Sequence, residues 1–131
     1  GDPTAEMPWD DGSDSIENAQ RRVGFFFEFL PKCSIDFFCF HDRDLIGECA
    51  TIAESEERLD AVVETIAAEM ERTGKRLLWG TANLFSHRRY MHGAATSPDV
   101  DVYAHAGAQV RKAMEVTHRL GGGGYRRAWR G

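Results

Sequence analysis

A chain of 131 residues, 42% hydrophobic and 28% charged, has ordinary globular composition, which excludes wholesale disorder and bounds it to one modest domain or a piece of a larger one. A formal net charge of −5 argues against a general nucleic-acid binder, and no apolar run approaches the length of a membrane span. The sign is uneven: the first twenty residues and the middle of the chain are acidic, whereas the last eleven hold Arg126, Arg127 and Arg130 and no carboxylate side chain.

Gly1 to Gly12 has two prolines, several acids and little periodicity, and reads as a loop in which Trp9 is the large apolar residue available to pin it to a surface. Asp14 to Leu30 reads as a helix. Asp14 and Glu17 fit an N-terminal capping pair, and Ile16, Ala19, Val23, Phe26, Phe27 and Leu30 recur at three- and four-residue spacing along one face. Pro31 is expected to stop it, and the run Phe25-Phe26-Phe27 is expected to be core.

Phe37 to Phe40 is a short, unalternating apolar run, the pattern of a buried parallel strand with both faces covered. It runs directly into His41-Asp42-Arg43-Asp44, so a histidine and two aspartates sit at the carboxyl end of a strand, where α/β folds place their chemistry. A strand followed by a solvated turn is the competing interpretation. A polar loop then reaches Ala50. Thr51 and Glu54 form a capping box for a second helix running to about Arg72. Leu59, Val62, Val63, Ile66 and Met70 line its inner face, its glutamates form a solvated outer face, and Gly74 ends it.

Leu77-Leu78-Trp79 is the next strand, followed by Gly80 to Phe85 and a long loop through Ser97. Ser97 as cap and Pro98 at the first position predict a third helix, with Tyr103, Ala106, Val110, Ala113, Thr117 and Leu120 on one face. Gly121 to Gly124 end it. Tyr125 to Trp129 is a weak strand candidate because Arg126-Arg127 interrupts it. The order helix, strand, helix, strand, helix suits right-handed βα units of a parallel sheet. Two or three such strands neither close a barrel nor cover both sheet edges, so the chain is expected to be part of a larger α/β structure or to pair with another chain.

Cys33, Cys39 and Cys49 are odd in number and include no CxxC, which points to reduced structural thiols. With no signal-peptide pattern at Gly1-Asp2-Pro3, a cytoplasmic location is expected. His87 and His92 lie five apart in the loop after Phe85, an irregular spacing for metal ligands, and read as loop or subunit contacts. His105 and His118 fall on the third helix and read as solvent-facing or partly buried. Gly121 to Gly124 lacks the strand–turn–helix context of a phosphate loop.

Four segments in order carry a specific resemblance: Phe38-Cys39-Phe40-His41-Asp42-Arg43-Asp44; Leu78-Trp79-Gly80-Thr81-Ala82-Asn83-Leu84-Phe85; Arg89-Tyr90-Met91-His92-Gly93-Ala94-Ala95-Thr96-Ser97; and Ala108-Gln109-Val110-Arg111-Lys112-Ala113-Met114-Glu115-Val116-Thr117. Together they resemble the xylose isomerase family, in its longer-chain class found in plants and many bacteria. The resemblance implies an incomplete (β/α)8 TIM barrel, about strands 2–4 with flanking helices. Residues 1–13 would be a loop, 14–120 the βα units and 121–131 a divergent Gly/Arg tail. It implies metal-dependent aldose–ketose isomerisation of xylose to xylulose, and of glucose to fructose, by ring opening and a hydride shift. It also implies two divalent cations (magnesium, manganese or cobalt), a sugar substrate and a homo-oligomer, tetramer or dimer.

Carried over residue by residue, His41 matches the histidine that assists ring opening and Asp44 its carboxylate partner. Trp79, Thr81 and Phe85 match the sugar pocket, and Trp129 matches a further pocket tryptophan if one residue is inserted. Three departures stand out. The family's metal ligands lie on later strands, so this chain alone is expected to bind no cation and to be inactive. The family's first strand and its pocket tryptophan are missing. The run after the glycines carries two arginines where the family is apolar. The other reading is a non-catalytic remnant serving as a structural or partner-binding module.

Overall fold

The computed structural model describes residues 7–122. Its elements are α1 (Ile16–Lys32), β1 (Phe37–His41), the one-turn α2 (Asp42–Leu45), α3 (Ile52–Thr73), β2 (Arg76–Thr81), a 3-10 turn (Arg88–Tyr90) and α4 (Val100–Arg119). The expected alternation of helix and strand is present, and β1 and β2 pair in parallel. The Tyr125 to Trp129 candidate strand lies outside the described residues.

Both long-helix starts near a polar cluster move by one or two residues from where the sequence suggested. Ser15, not Asp14, caps α1, its hydroxyl accepting from the Asn18 N–H at 3.1 Å. Asp14 instead reaches across the fold, accepting from Gly47 N at 2.8 Å and from Arg58 Nη1 at 3.1 Å. At α4, Asp99 is the cap and accepts from Asp101 N at 2.9 Å, while Ser97 accepts from Asp99 N outside the helix. Ser97 is taken up by the Asp99 N–H before the helix, so Asp99 is left as the cap and Pro98 lies outside the helix. Pro31 does not stop α1 but lies in its last turn. There the missing N–H costs one hydrogen bond, and Cys33 N still closes onto Phe29 O at 3.1 Å. The capping box of α3 forms in both directions between Thr51 and Glu54, and Gly74 ends the helix at φ +70°, a left-handed conformation that glycine adopts without a Cβ penalty.

The helices supply one side of the sheet with its core. Ala19, Val23, Phe27 and Leu30 of α1, Leu59, Val62, Val63 and Ile66 of α3, and Val116 and Leu120 at the end of α4 cluster with Phe38 and Phe40 of β1 and Leu77 of β2. Along β1 the burial alternates: Phe38 and Phe40 are inside, while Phe37 is 45% exposed and Cys39 is exposed. The unalternating sequence therefore does not signify a strand covered on both faces within this chain. Every second side chain of a strand points the other way, and among the described residues no layer lies over that outer face of β1. Likewise only Phe27 of the Phe25-Phe26-Phe27 run is buried. Phe25 meets Trp9 with ring centroids 5.3 Å apart, which pins the entering loop as expected.

Glycine is required at one sheet position. A Cβ on Gly80 would lie 2.9 Å from a Phe40 ring carbon and closer still to Thr117 Oγ1, so α4 approaches β2 as nearly as the backbone allows. The acidic α3 face is only partly a solvated one. Asp60 holds Lys112 at 2.6 Å, Glu56 faces Arg111 at 3.6 Å and Glu64 pairs with Arg119, so acids of α3 meet bases of α4 along a seam. On α4, Tyr103 is exposed rather than inward, and Gln109 occupies a buried position on the stripe.

Candidate functional site

The parallel register fixes where the chemistry-bearing residues meet. His41 pairs with Thr81 and Cys39 with Trp79, so the carboxyl ends of both strands open on the same edge. At that edge the chain leaves β1 through α2, whose first turn returns Asp44 to the strand end. Asp44 Oδ2 receives the His41 backbone N–H at 3.3 Å and lies 3.0 Å from His41 Nδ1. A carboxylate at that distance accepts a hydrogen bond from Nδ1–H, which leaves the lone pair on Nε2. The imidazole and the carboxylate are 31% and 44% exposed, so the pair is open to a ligand and only partly screened.

Two aromatic rings border the imidazole. Trp79 stands edge-on at 6.4 Å between centroids and Phe85 edge-on at 5.7 Å, both near perpendicular. Trp79 is half-buried on β2 and Phe85 is exposed in the loop beyond it. Thr81 is 1% exposed, directly across the sheet from His41. Four of the residues expected from the sequence, His41, Asp44, Trp79 and Phe85, thus converge, with Thr81 beside them in the sheet, and Trp129 lies outside the described residues. Cys39, next to this edge, has its thiol pushed up by burial and by the charge of Asp44, so it stays protonated at neutral pH and does not act as a thiolate.

The sequence reading assigned no role to the group that ties this edge together. Asp42 is 3% exposed. Its Oδ1 accepts from Arg43 N at 2.8 Å and Asn83 N at 2.7 Å, and its Oδ2 accepts from Gln109 Nε2 at 2.7 Å. Gln109 also donates to Asn83 O at 3.1 Å and accepts from Tyr90 Oη at 2.8 Å. Asn83 Oδ1 in turn accepts from Phe85 N and Ser86 N at 3.2 and 3.0 Å. The signal available in the sequence was Gln109 itself, a polar residue three after Ala106 and four before Ala113 on an apolar stripe.

The remaining histidines lie away from this edge. His87 Nδ1 accepts from Arg89 N and caps the 3-10 turn, His92 and His118 are exposed, and His105 is half-buried. His105 Nε2 lies 2.7 Å from Arg89 Nη1, which in turn is 2.5 Å from Glu48 Oε1. An arginine only donates, so this His105 bond requires the neutral ring. Burial and then the Arg89 charge hold the His105 pKa below its usual value; for Glu48 burial acts upward, but Arg89 outweighs it and keeps the carboxyl below the usual range.

Among the described residues, no group of three or more His, Cys, Asp or Glu side chains is placed to hold a metal ion. Among the same residues, no helix is long and apolar enough to cross a membrane.

Comparison with known sequences finds xylose isomerases. Those of Thermotoga petrophila, Rhodopirellula baltica and Hordeum vulgare are 56%, 52% and 52% identical over 125 residues, which is 95% of this chain in each case. The match covers 28%, 28% and 26% of those relatives, so the chain spans roughly a quarter of their length. No family profile matches the chain.

Proposed function

The chain is homologous to the xylose isomerases along 95% of its length, and from that premise we propose that it is one segment of an aldose–ketose isomerase, the part that opens the sugar ring. The observation that carries this reading is the 3.0 Å pair of His41 Nδ1 and Asp44 Oδ2 at a parallel strand end, bordered by Trp79 and Phe85. The segment corresponds to about strands 2–4 of a (β/α)8 barrel. Phe25, Phe26 and Phe29 of α1, with Phe37 and Leu78 on the outer sheet face, are exposed. Apolar surface of that extent is the kind the rest of a longer protein covers.

Ring opening of a cyclic aldose moves one proton. The anomeric hydroxyl loses its proton as C1 becomes a carbonyl, the bond from C1 to the ring oxygen breaks, and the ring oxygen gains a proton. His41 Nε2 is the group that takes the proton from the anomeric hydroxyl, since Nδ1 is committed to Asp44, and the resulting imidazolium hands that same proton to the ring oxygen as its bond to C1 breaks. Asp44 holds the tautomer before the transfer and stabilises the imidazolium after it. Trp79 and Phe85 supply apolar walls that pack on sugar C–H groups and exclude water, with Thr81 paired to His41 across the sheet at the strand end. Divalent cations supply Lewis acidity for the later hydride shift in this family. Their donors are not among the described residues, and no step here passes through them.

The test is direct. The full-length protein carrying this segment should convert xylose to xylulose with manganese, and His41→Ala should remove most turnover of the cyclic sugar. Absence of isomerase activity in the folded full-length protein would overturn the reading.

A further inference from the structure

Asp42 sits where three pieces of the chain meet: the end of β1 that presents His41, the loop after β2 that presents Phe85, and α4. We propose that Asp42 is a positioning residue for ring opening, a buried carboxylate that holds the imidazole and its aromatic wall in one fixed arrangement. The inference rests on the ring-opening reading of His41.

The geometry is specific to a carboxylate. Three N–H donors converge on Asp42, from Arg43 N, Asn83 N and Gln109 Nε2, at 2.8, 2.7 and 2.7 Å. The Gln109 amide has one orientation only: Nε2 faces two acceptors, Asp42 Oδ2 and Asn83 O, and Oε1 faces the Tyr90 hydroxyl. An asparagine at 42 offers an NH2 where a second acceptor is needed. It meets the Gln109 NH2 donor to donor, and turning Gln109 over sets its oxygen against Asn83 O. Neither choice satisfies all the buried groups, and an unsatisfied buried donor is costly.

Both arms reach His41. Asp42 is its neighbour in the chain and the first residue of α2, and its bond to Arg43 N lies inside the turn whose capping box returns Asp44 to His41. On the other side Asp42 fixes Asn83 N, and the Asn83 side chain folds the backbone of Phe85 and Ser86 back on itself, which brings the Phe85 ring to 5.7 Å from the imidazole. Asp42 is buried and its oxygens are engaged in these bonds, so it acts through His41 and Phe85 and not on the sugar.

The experiment uses the full-length isomerase carrying this segment, with Asp42→Asn, Gln109→Met and His41→Gln compared on a cyclic aldose and on an open-chain aldose. Asp42→Asn and Gln109→Met are expected to lower kcat on the cyclic substrate at least tenfold, with open-chain kcat within about threefold of the parent protein and KM little changed; a tenfold loss is about 1.4 kcal/mol of barrier. If His41→Gln shows the cyclic-selective loss while the folded Asp42→Asn and Gln109→Met proteins keep the parent cyclic-to-open ratio, the positioning role is overturned and the ring-opening reading survives. If His41→Gln slows both substrates alike, the ring-opening reading falls, and the role of Asp42 with it. Gln109→Met removes one bond and leaves the carboxylate tied to Asn83, so it decides the matter if Asp42→Asn does not fold.

Discussion

Removing the Asp44 carboxylate isolates its share of the proton transfer. In the resting state Asp44→Ala loses two contacts to His41, at 3.0 Å from Nδ1 and 3.3 Å from the backbone N–H. The first, charge-assisted by the carboxylate from the outset, becomes an ion pair when the ring is protonated. A hydrogen bond to a charged group contributes about 1.5–3 kcal/mol when well shielded. With the carboxylate 44% exposed, solvent screening brings the expected value to the lower end, about 1–1.5 kcal/mol. At about 1.4 kcal/mol per factor of ten, kcat on a cyclic aldose should fall by roughly 5–12-fold in the full-length protein. His41→Ala removes the proton acceptor itself and should cost about 10²–10⁴-fold on the same substrate. Parallel assays on cyclic and open-chain aldoses read the difference, because only the cyclic one needs its ring opened. The reasoning is refuted if Asp44→Ala slows both substrates equally, or if it matches His41→Ala in severity.

Three other expectations concern activity, packing and pH. The 131-residue chain by itself should show no xylose turnover with manganese, since no donor cluster for a cation is present among its described residues; turnover by the purified chain would contradict this. Gly80→Ala should destabilise by about 1–3 kcal/mol through overpacking against Phe40 and Thr117, and a raised thermal midpoint would contradict the close approach of α4. The folded His105 pKa lies below its unfolded value near 6.5, so its contribution is complete above that pH and is lost as pH falls toward the folded pKa. Glu48 behaves in the same direction from its unfolded value near 4.5: its contribution is present above that pH and is lost as pH falls through the lower folded pKa. Denaturant titrations between pH 7 and 5 should therefore show a smaller loss of stability in His105→Gln than in the parent chain, and identical slopes would rule the linkage out.

The helices were legible because their signals are local. Apolar residues at three- and four-residue spacing located α1, α3 and α4, and the Thr51–Glu54 box with Gly74 placed α3 to within a residue. The caps of α1 and α4 were less legible. Each offers two or three neighbouring acceptors, and the choice depends on what else claims them; Asp14 is taken by Gly47 and Arg58, residues distant in sequence. The apolar run Phe37 to Phe40 identified a strand but not its surroundings, since Phe37 and Cys39 face outward and are exposed, with only the Arg76 guanidinium over the Phe37 ring among the described residues.

The site divides along the same line. His41, Asp44, Trp79 and Phe85 could be named from the sequence because they stand in short motifs at strand ends, and the His41–Asp44 contact spans three residues, within reach of a single turn. Asp42, Asn83, Tyr90 and Gln109 could not be joined from the sequence, for their bonds link positions 19, 26, 41 and 67 residues apart. The sequence by itself determined which residues are candidates for the chemistry, because His41 and Asp44 stand together at a strand end and the short motifs around Trp79 and Phe85 carry the resemblance. Only the tertiary structure decided what holds them in place, because a buried carboxylate recruits its donors from whichever elements folding brings together.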